Sequence, residues 1–264
     1  MYLAELRFTL IADTEFSLAE QAIRRYLEAL IFNGQMLGRE FPTAFTGDAF
    51  CSRLVLPTAD ALSGQHASAR VKAAEQQLAA AGLGYPQCQL LGQDLMSQQT
   101  VTELPAELVL FTTYADTCSP LRCANTLQPV PLFWLNPAAA DYEALIRWQL
   151  QFQALDEIQL QQDRVLHKTA ENSLQHYQSK LNRQGRKLAT QLARQNQRPV
   201  WYALYSGSAT DCQAEADKCC PGCGGNWRLA EPLHQRFDFQ CEPCRLLGNI
   251  AWDCQSPSVE QGDS

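Results

Sequence analysis

Apolar and polar positions alternate over residues 2–11, Tyr2-Leu3-Ala4-Glu5-Leu6-Arg7-Phe8-Thr9-Leu10-Ile11, and this period of two predicts a half-buried strand. The period then changes. Leu18, Ala22, Ile23, Tyr26, Leu27 and Leu30 recur at helical spacing; Ser17 is placed to cap that helix with Glu20 as its capping-box partner, and Asn33-Gly34 to stop it. A weakly patterned strand follows at 36–45. Thr46-Gly47-Asp48 then turns into a stronger one at 49–56, which Pro57 ends. A second helix is expected over 66–81, closed by Gly82 and Gly84, and a short strand over 87–92. The order β-α-β-β-α-β is that of the ferredoxin-like split motif, a fold that hosts many unrelated functions.

The run Leu-Val-Leu-Phe-Thr-Thr-Tyr at 108–114 predicts a buried strand, 115–125 a loop, and 129–135 another strand. A helix is expected over 138–160, burying Tyr142, Leu145, Ile146, Trp148, Leu150, Phe152 and Leu155. A second long helical pattern covers 163–197, with Gly185 as the expected point of a kink or break. Pro199 ends it, Val200-Trp201-Tyr202-Ala203-Leu204-Tyr205 reads as a strand, and 206–218 as a linker. The expected organisation is an α+β chain: a ferredoxin-like part with extra strands (1–135), a helical middle (138–198), a cysteine-rich ribbon (199–254) and a disordered tail (255–264).

Two Cys-x-x-Cys pairs change that picture from shape to chemistry. Cys220-Pro221-Gly222-Cys223 and Cys241-Glu242-Pro243-Cys244 stand seventeen residues apart, the ligand spacing of a zinc ribbon, and four thiolates close a tetrahedral site. One structural Zn2+ is therefore expected as the cofactor; comparable small sites gain about 10 to 16 kcal/mol of apparent folding free energy from the metal. A four-thiolate site has no open position at which to activate water. Trp227, Leu229, Phe237 and Phe239 alternate between the pairs as the ribbon's own core, with base stacking as the alternative for the aromatics. Among the other cysteines, Cys118 and Cys123 lack a matching second pair, and an odd total of 11 without an export signal argues against a disulfide framework.

The 264 residues carry a net charge of −7, with 46% hydrophobic and 19% charged residues, so a real core is expected and wholesale disorder is not. No apolar run reaches the roughly 18 to 20 residues that span a bilayer, and the start lacks the features of a signal peptide; a cytoplasmic protein with no membrane partner is expected. The charge is unevenly placed. Residues 163–198 hold eight Lys/Arg against two Asp/Glu, whereas both flanks are acidic. At about 100° per residue, Lys180, Arg183, Lys187, Arg194 and Arg198 fall in one stripe, with glutamines interleaved. Such a stripe suits nucleic-acid phosphates; a solvated or protein-facing helix surface is the plainer reading. His167 and Glu171 share a helix face that excludes His176, and no phosphate loop, nucleophile elbow or HExxH is present, so nothing argues for an enzyme.

From Cys220-Pro-Gly-Cys-Gly-Gly and Trp227 through Phe237-Asp238-Phe239-Gln240-Cys241-Glu242-Pro243-Cys244-Arg245-Leu246-Leu247-Gly248-Asn249-Ile250-Ala251-Trp252, the chain resembles a bacterial domain-of-unknown-function family. Its members are described as zinc-ribbon-containing and linked with nucleic-acid binding. The resemblance extends through Ser119-Pro120-Leu121-Arg122-Cys123 and Pro129-Val130-Pro131-Leu132. The family pattern often has a cysteine three residues after Cys123, where Thr126 stands here, which weakens a second knuckle. The resemblance implies a zinc-ribbon protein that contacts DNA or RNA. The alternative is an adaptor that docks a protein of the transcription or translation machinery, which the acidic remainder of the chain favours.

Overall fold

The alternating N-terminal segment forms β1 (Tyr2–Thr9), with Ala4, Leu6 and Phe8 buried on one side. A computed structural model describes residues 1–38, 40–135, 141–161 and 165–255, and shows a mixed α+β chain with two sheets. In the first sheet β1 is antiparallel to both β3 (Ala49–Leu56) and β4 (Gln87–Gln93), while the short β2 (Thr43–Phe45) pairs with β3, giving the order β2-β3-β1-β4. Helices α1 (Phe16–Phe32) and α2 (Ala69–Ala80) bury Tyr26, Leu27, Leu30 and Leu78 in one cluster with Leu6, Phe8 and Leu54 of the sheet.

The helix starts differ from expectation. α1 begins at Phe16, with Glu15 at the cap position making no side-chain cap bond, so Ser17 lies inside the helix and no capping box forms. The Phe16 ring meets Phe45 at 4.7 Å and Phe50 at 5.4 Å, and these aromatic contacts draw the residue ahead of Ser17 into the first turn. In α2 the cap is Ser68, whose hydroxyl accepts from the Val71 N–H. The expected strand at 36–45 shrinks to three residues because Met36 turns into the core and Leu37 keeps a single bridge to Val55.

The second sheet contains β5 (Leu108–Leu110), β6 (Leu121–Cys123), β7 (Val200–Leu204), β8 (Arg228–Leu233), β9 (Phe237–Cys241) and β10 (Leu246–Gly248). Its order is β6-β5-β7-β10-β9-β8, with β5 and β10 each parallel to β7 and the outer pairs antiparallel. All five residues of β7 are buried, as a strand paired on both edges and covered on both faces must be. Val200, Tyr202 and Leu204 join the core under α3 (Glu143–Leu160), α4 (His167–Gln175) and α5 (Lys180–Asn196). Trp201 and Ala203 face a smaller cluster with Val109, Phe237 and Leu247. The strands of the cysteine-rich segment are thus continuous with those of the middle of the chain.

Three further expectations are corrected. Residues 115–125 are not all loop, since Leu121–Cys123 pairs with β5. The 129–135 strand reduces to a bridge between Pro129 and Arg122 and a 3-10 turn at Leu132–Trp134, because prolines 129 and 131 have no N–H to give a ladder. The long helical pattern breaks at 176–179 instead of at Gly185. Asn182 reaches back with its amide to the carbonyls of Leu174 (2.7 Å) and His176 (2.8 Å), ending α4, and the Ser179 hydroxyl caps α5. Cys212 in the short α6 (Cys212–Ala216) is bonded to Cys254, so one disulfide exists despite the odd cysteine count. The beginnings of the two expected long helices, at 138–140 and 163–164, and the tail at 256–264 lie outside the described residues.

The two sheets meet at the 3-10 turn, where Leu132 enters one core and Phe133 the other. Gly34, at φ +73°, makes this possible: a Cβ there would lie 2.6 Å from that of Leu132. Gly185 marks a second close approach. A Cβ there would meet Trp148 Nε1 at 2.8 Å and lie closer still to the Tyr202 ring, so α5 rests directly on β7. A Gly-to-Ala change inside a helix normally gains about 1 kcal/mol, whereas overpacking costs about 1–3 kcal/mol. Gly185→Ala is therefore expected to lower the midpoint of denaturant unfolding; an unchanged or raised midpoint would contradict this packing.

Candidate metal centre

Each Cys-x-x-Cys pair sits on a tight turn. In the first, Gly224 N–H donates to the Cys220 carbonyl (2.8 Å) and Cys220 N–H to that of Gly225 (2.9 Å); in the second, Arg245 N–H donates to the Glu242 carbonyl (3.2 Å). The residue after the second cysteine is left-handed in both turns, Gly224 at φ +73° and Arg245 at φ +51°. The hairpin β8–β9 folds the turns together, and the Sγ atoms of Cys220, Cys223, Cys241 and Cys244 all lie within 4.8 Å of one another, with Cys223 and Cys241 at 3.6 Å. Four sulfurs bonded to one tetrahedral ion at about 2.3 Å stand roughly 3.8 Å apart, so this group could hold a metal ion. Gly222 is also needed there, since a Cβ on it would lie 2.7 Å from Cys244 Sγ.

The electrostatics point the same way. A hydrogen bond from the Gly225 N–H, with help from neighbouring thiols, lowers the Cys223 thiol to about 7, while desolvation pushes Cys241 up to about 11 and Cys244 higher. Four thiols this close cannot all ionise without a cation among them. A bound divalent ion removes that penalty, because a coordinating thiol is deprotonated outright.

The aromatics of the cysteine-rich segment are core. Trp227 stacks on Phe239 with centroids 4.9 Å apart, and Trp227, Phe237 and Phe239 are buried, so none offers a face to a base. Its arginines lie over rings: Arg228 over Phe239, Arg236 over Phe111, and Arg245 over Trp201. The positions predicted on the basic stripe divide. Lys180, Arg183, Lys187 and Arg194 are exposed on α5 and make no ion pair among the described residues. Arg198 lies beyond the helix and donates to the Pro105 carbonyl at 2.8 Å, which gives it a structural job. Cys118 and Cys123 are both buried, with burial raising Cys118 to about 11, and they form no metal-holding group among the described residues. His167 contacts the Gln159 carbonyl, and Glu171 pairs with Lys168.

One contact escaped the pattern reading. Tyr177, in the turn between α4 and α5, places its hydroxyl against the first knuckle, 3.1 Å from where a Gly222 Cβ would stand. Arg186 of α5 lies over the Tyr177 ring and donates to its carbonyl, so the knuckle braces the start of the basic helix. In the sequence Tyr177 reads only as one more apolar stripe position.

The purified chain is expected to carry one divalent metal ion, and the double change Cys220→Ser with Cys241→Ser to carry none. Chelation should lower the thermal midpoint of the intact protein, because the ion joins β9 and β10 to a turn outside the sheet. Metal-free protein after anaerobic reconstitution, or a midpoint indifferent to chelator, would refute the site.

Comparison with known proteins matches the chain in three successive parts. Three families match in succession, each described as a domain of unknown function: DUF8589 over residues 1–92, DUF2310 over 102–205 and DUF8594 over 209–254. An "Uncharacterized protein" of Haemophilus influenzae is 34% identical over 263 residues, covering 96% of this chain and 99% of its own. A second "Uncharacterized protein" of that organism is 35% identical over 167 residues, covering 62% of this chain and 82% of its own. No solved structure matches. With that full-length relative at 34% identity, the chain belongs to the family of the first Haemophilus protein, assembled from these three domains of unknown function.

Proposed function

We propose that this is a non-enzymatic, cytoplasmic zinc-ribbon protein that binds nucleic acid through the exposed face of α5. The observation that carries the reading is the set of four exposed cations, Lys180, Arg183, Lys187 and Arg194, without ion pairs among the described residues of an otherwise acidic chain. They run about 21 Å along one side of the helix, a length that meets several successive phosphates. All-sulfur coordination favours Zn2+ over harder cations, and a site closed by four thiolates is structural. The ribbon then serves the helix by bracing its first turn through Tyr177. We read the N-terminal sheet as ferredoxin-like, which the all-antiparallel order β2-β3-β1-β4 and the shared helix-covered face support. No described helix is long and apolar enough to cross a membrane.

Binding to pools of DNA and RNA oligonucleotides should fall steeply with salt, with a slope of log K against log salt of about −3 for four contacts to a single strand. The triple change Arg183→Ala, Lys187→Ala and Arg194→Ala should weaken binding across all sequences and flatten that slope while leaving the thermal midpoint unchanged, since these side chains are exposed. Absence of binding at low ionic strength would end the proposal.

A second reading, a protein-docking adaptor for the transcription or translation machinery, is favoured by the first sheet's edge. All seven residues of β4 are exposed, among them Leu90 and Leu91, and an open edge of this kind accepts a strand from a partner. Co-purification of a partner that survives nuclease treatment supports the adaptor; loss of the partner on nuclease treatment supports the nucleic-acid reading.

A further inference from the structure

The parallel strands β5, β7 and β10 end side by side, and a cavity of about 190 Å³ opens beyond their carboxyl ends. Phe111 and Thr112 line it after β5, Tyr205 after β7 and Asn249 after β10. In open sheets with parallel strands this is where ligands bind, because the segments leaving neighbouring strands diverge there and leave a crevice. Helix α3 supplies the opposite wall: Trp148, Phe152, Asp156 and Leu160 recur every four residues and all reach the cavity. The walls are mostly aromatic and aliphatic, with Trp252 at the rim.

Asp156 stands out among them. It is 6% exposed, and its Oδ2 accepts the Tyr114 N–H at 2.8 Å. Among the described residues its Oδ1 has no hydrogen-bond partner, and no Lys, Arg or His pairs with it. The neighbouring half-buried carboxylate is matched: Asp116 holds Arg122 at 2.8 Å. Arg236 lines the rim, but its guanidinium lies over the Phe111 ring, 5.0 Å from the centroid, and makes no ion pair among the described residues. The loop after β5 is built against α3. Gln153 donates to the carbonyls of Thr113 and Asp116, and Asp116 accepts the Thr113 N–H, so the wall that carries Tyr114 is held in shape. An unmatched carboxylate in an apolar, preformed cavity is costly to the fold by itself, and a ligand that brings N–H donors to it recovers that cost.

We propose that this cavity binds a small planar aromatic or heteroaromatic molecule carrying an amino or amidino group, its ring held among Phe111, Phe152, Tyr205 and Trp252 and its N–H donors meeting Asp156. The site stands on its own observations and is independent of the role of α5.

The test titrates the full, metal-loaded chain with benzamidine, with acetophenone as a neutral ring of similar shape lacking donors and benzoate as the opposite charge. Trp148 and Trp252 line the cavity, so their fluorescence reports occupancy, and calorimetry gives the affinity. Benzamidine is expected to bind at least about tenfold more tightly than acetophenone, a difference of about 1.4 kcal/mol, and benzoate not at all. Asp156→Asn should remove the preference. Leu160→Trp, at a half-exposed position on the cavity's edge, should block both rings without unfolding the chain, and decides the matter if Asp156→Asn does not fold. No binding at millimolar benzamidine, equal binding of benzoate, a preference that survives Asp156→Asn, or binding untouched by Leu160→Trp would each overturn the assignment.

Discussion

The second half of the molecule depends on β7 being paired in parallel on both edges. Its five residues, Val-Trp-Tyr-Ala-Leu, have no exposed face, and both neighbours come from far along the chain. Parallel neighbours need crossover connections, and these crossings create the rest of the architecture. The passage from β5 to β7 supplies α3, α4 and α5, which cover one face through Tyr202 and its neighbours. The passage from β7 to β10 contains both cysteine turns, and the Tyr202 N–H donates to the Arg245 carbonyl just beyond the second one. The four-cysteine group therefore lies where β9 turns into β10, and a metal ion there would fasten these two short strands to the first cysteine turn.

That arrangement links features that look separate along the chain. The first cysteine turn touches Tyr177, Tyr177 is held under Arg186, and Arg186 lies on the helix that bears the exposed cations. The same sheet end that receives β10 also forms one wall of the cavity beside Asp156. A disturbance of the four-cysteine group thus has a packed route to α5 through Tyr177 and Arg186.

Charge is distributed by the same logic. The arginines of the β8–β10 unit lie over aromatic rings, and Arg122 is buried against Asp116, so these cations are consumed by the fold. Lys180, Arg183, Lys187 and Arg194 of α5 are exposed instead, because its inner face is already filled by Leu181, Gly185, Ala189 and Leu192 against the sheet, leaving the polar face to water. A helix pressed this closely to a strand, with glycine at the contact, cannot rotate to hide its charges.

What could be read from the sequence followed from local rules. The spacing of Cys220, Cys223, Cys241 and Cys244 is enough to bring four sulfurs together, since two tight turns on a hairpin have few other places to go. The strand at 49–56, the two helices of the first sheet, and the face of α5 that carries Lys180, Arg183, Lys187 and Arg194 are likewise set by periodicity, whereas the strand at 87–93 is only weakly patterned. The rest was decided by contacts distant in sequence. Glu15 takes the cap position because Phe16 finds Phe45 and Phe50; the long helix breaks where Asn182 can reach the carbonyls of Leu174 and His176, and not at its glycine. Residues 121–123 become a strand because β5 offers them an edge, and Cys212 meets Cys254 because the chain returns to the same sheet end. Asp156 reads as one polar position in a helical pattern until β5, β7 and β10 close around it. Periodicity encodes which face of an element is apolar, but which other element covers that face is settled only when the whole chain has folded.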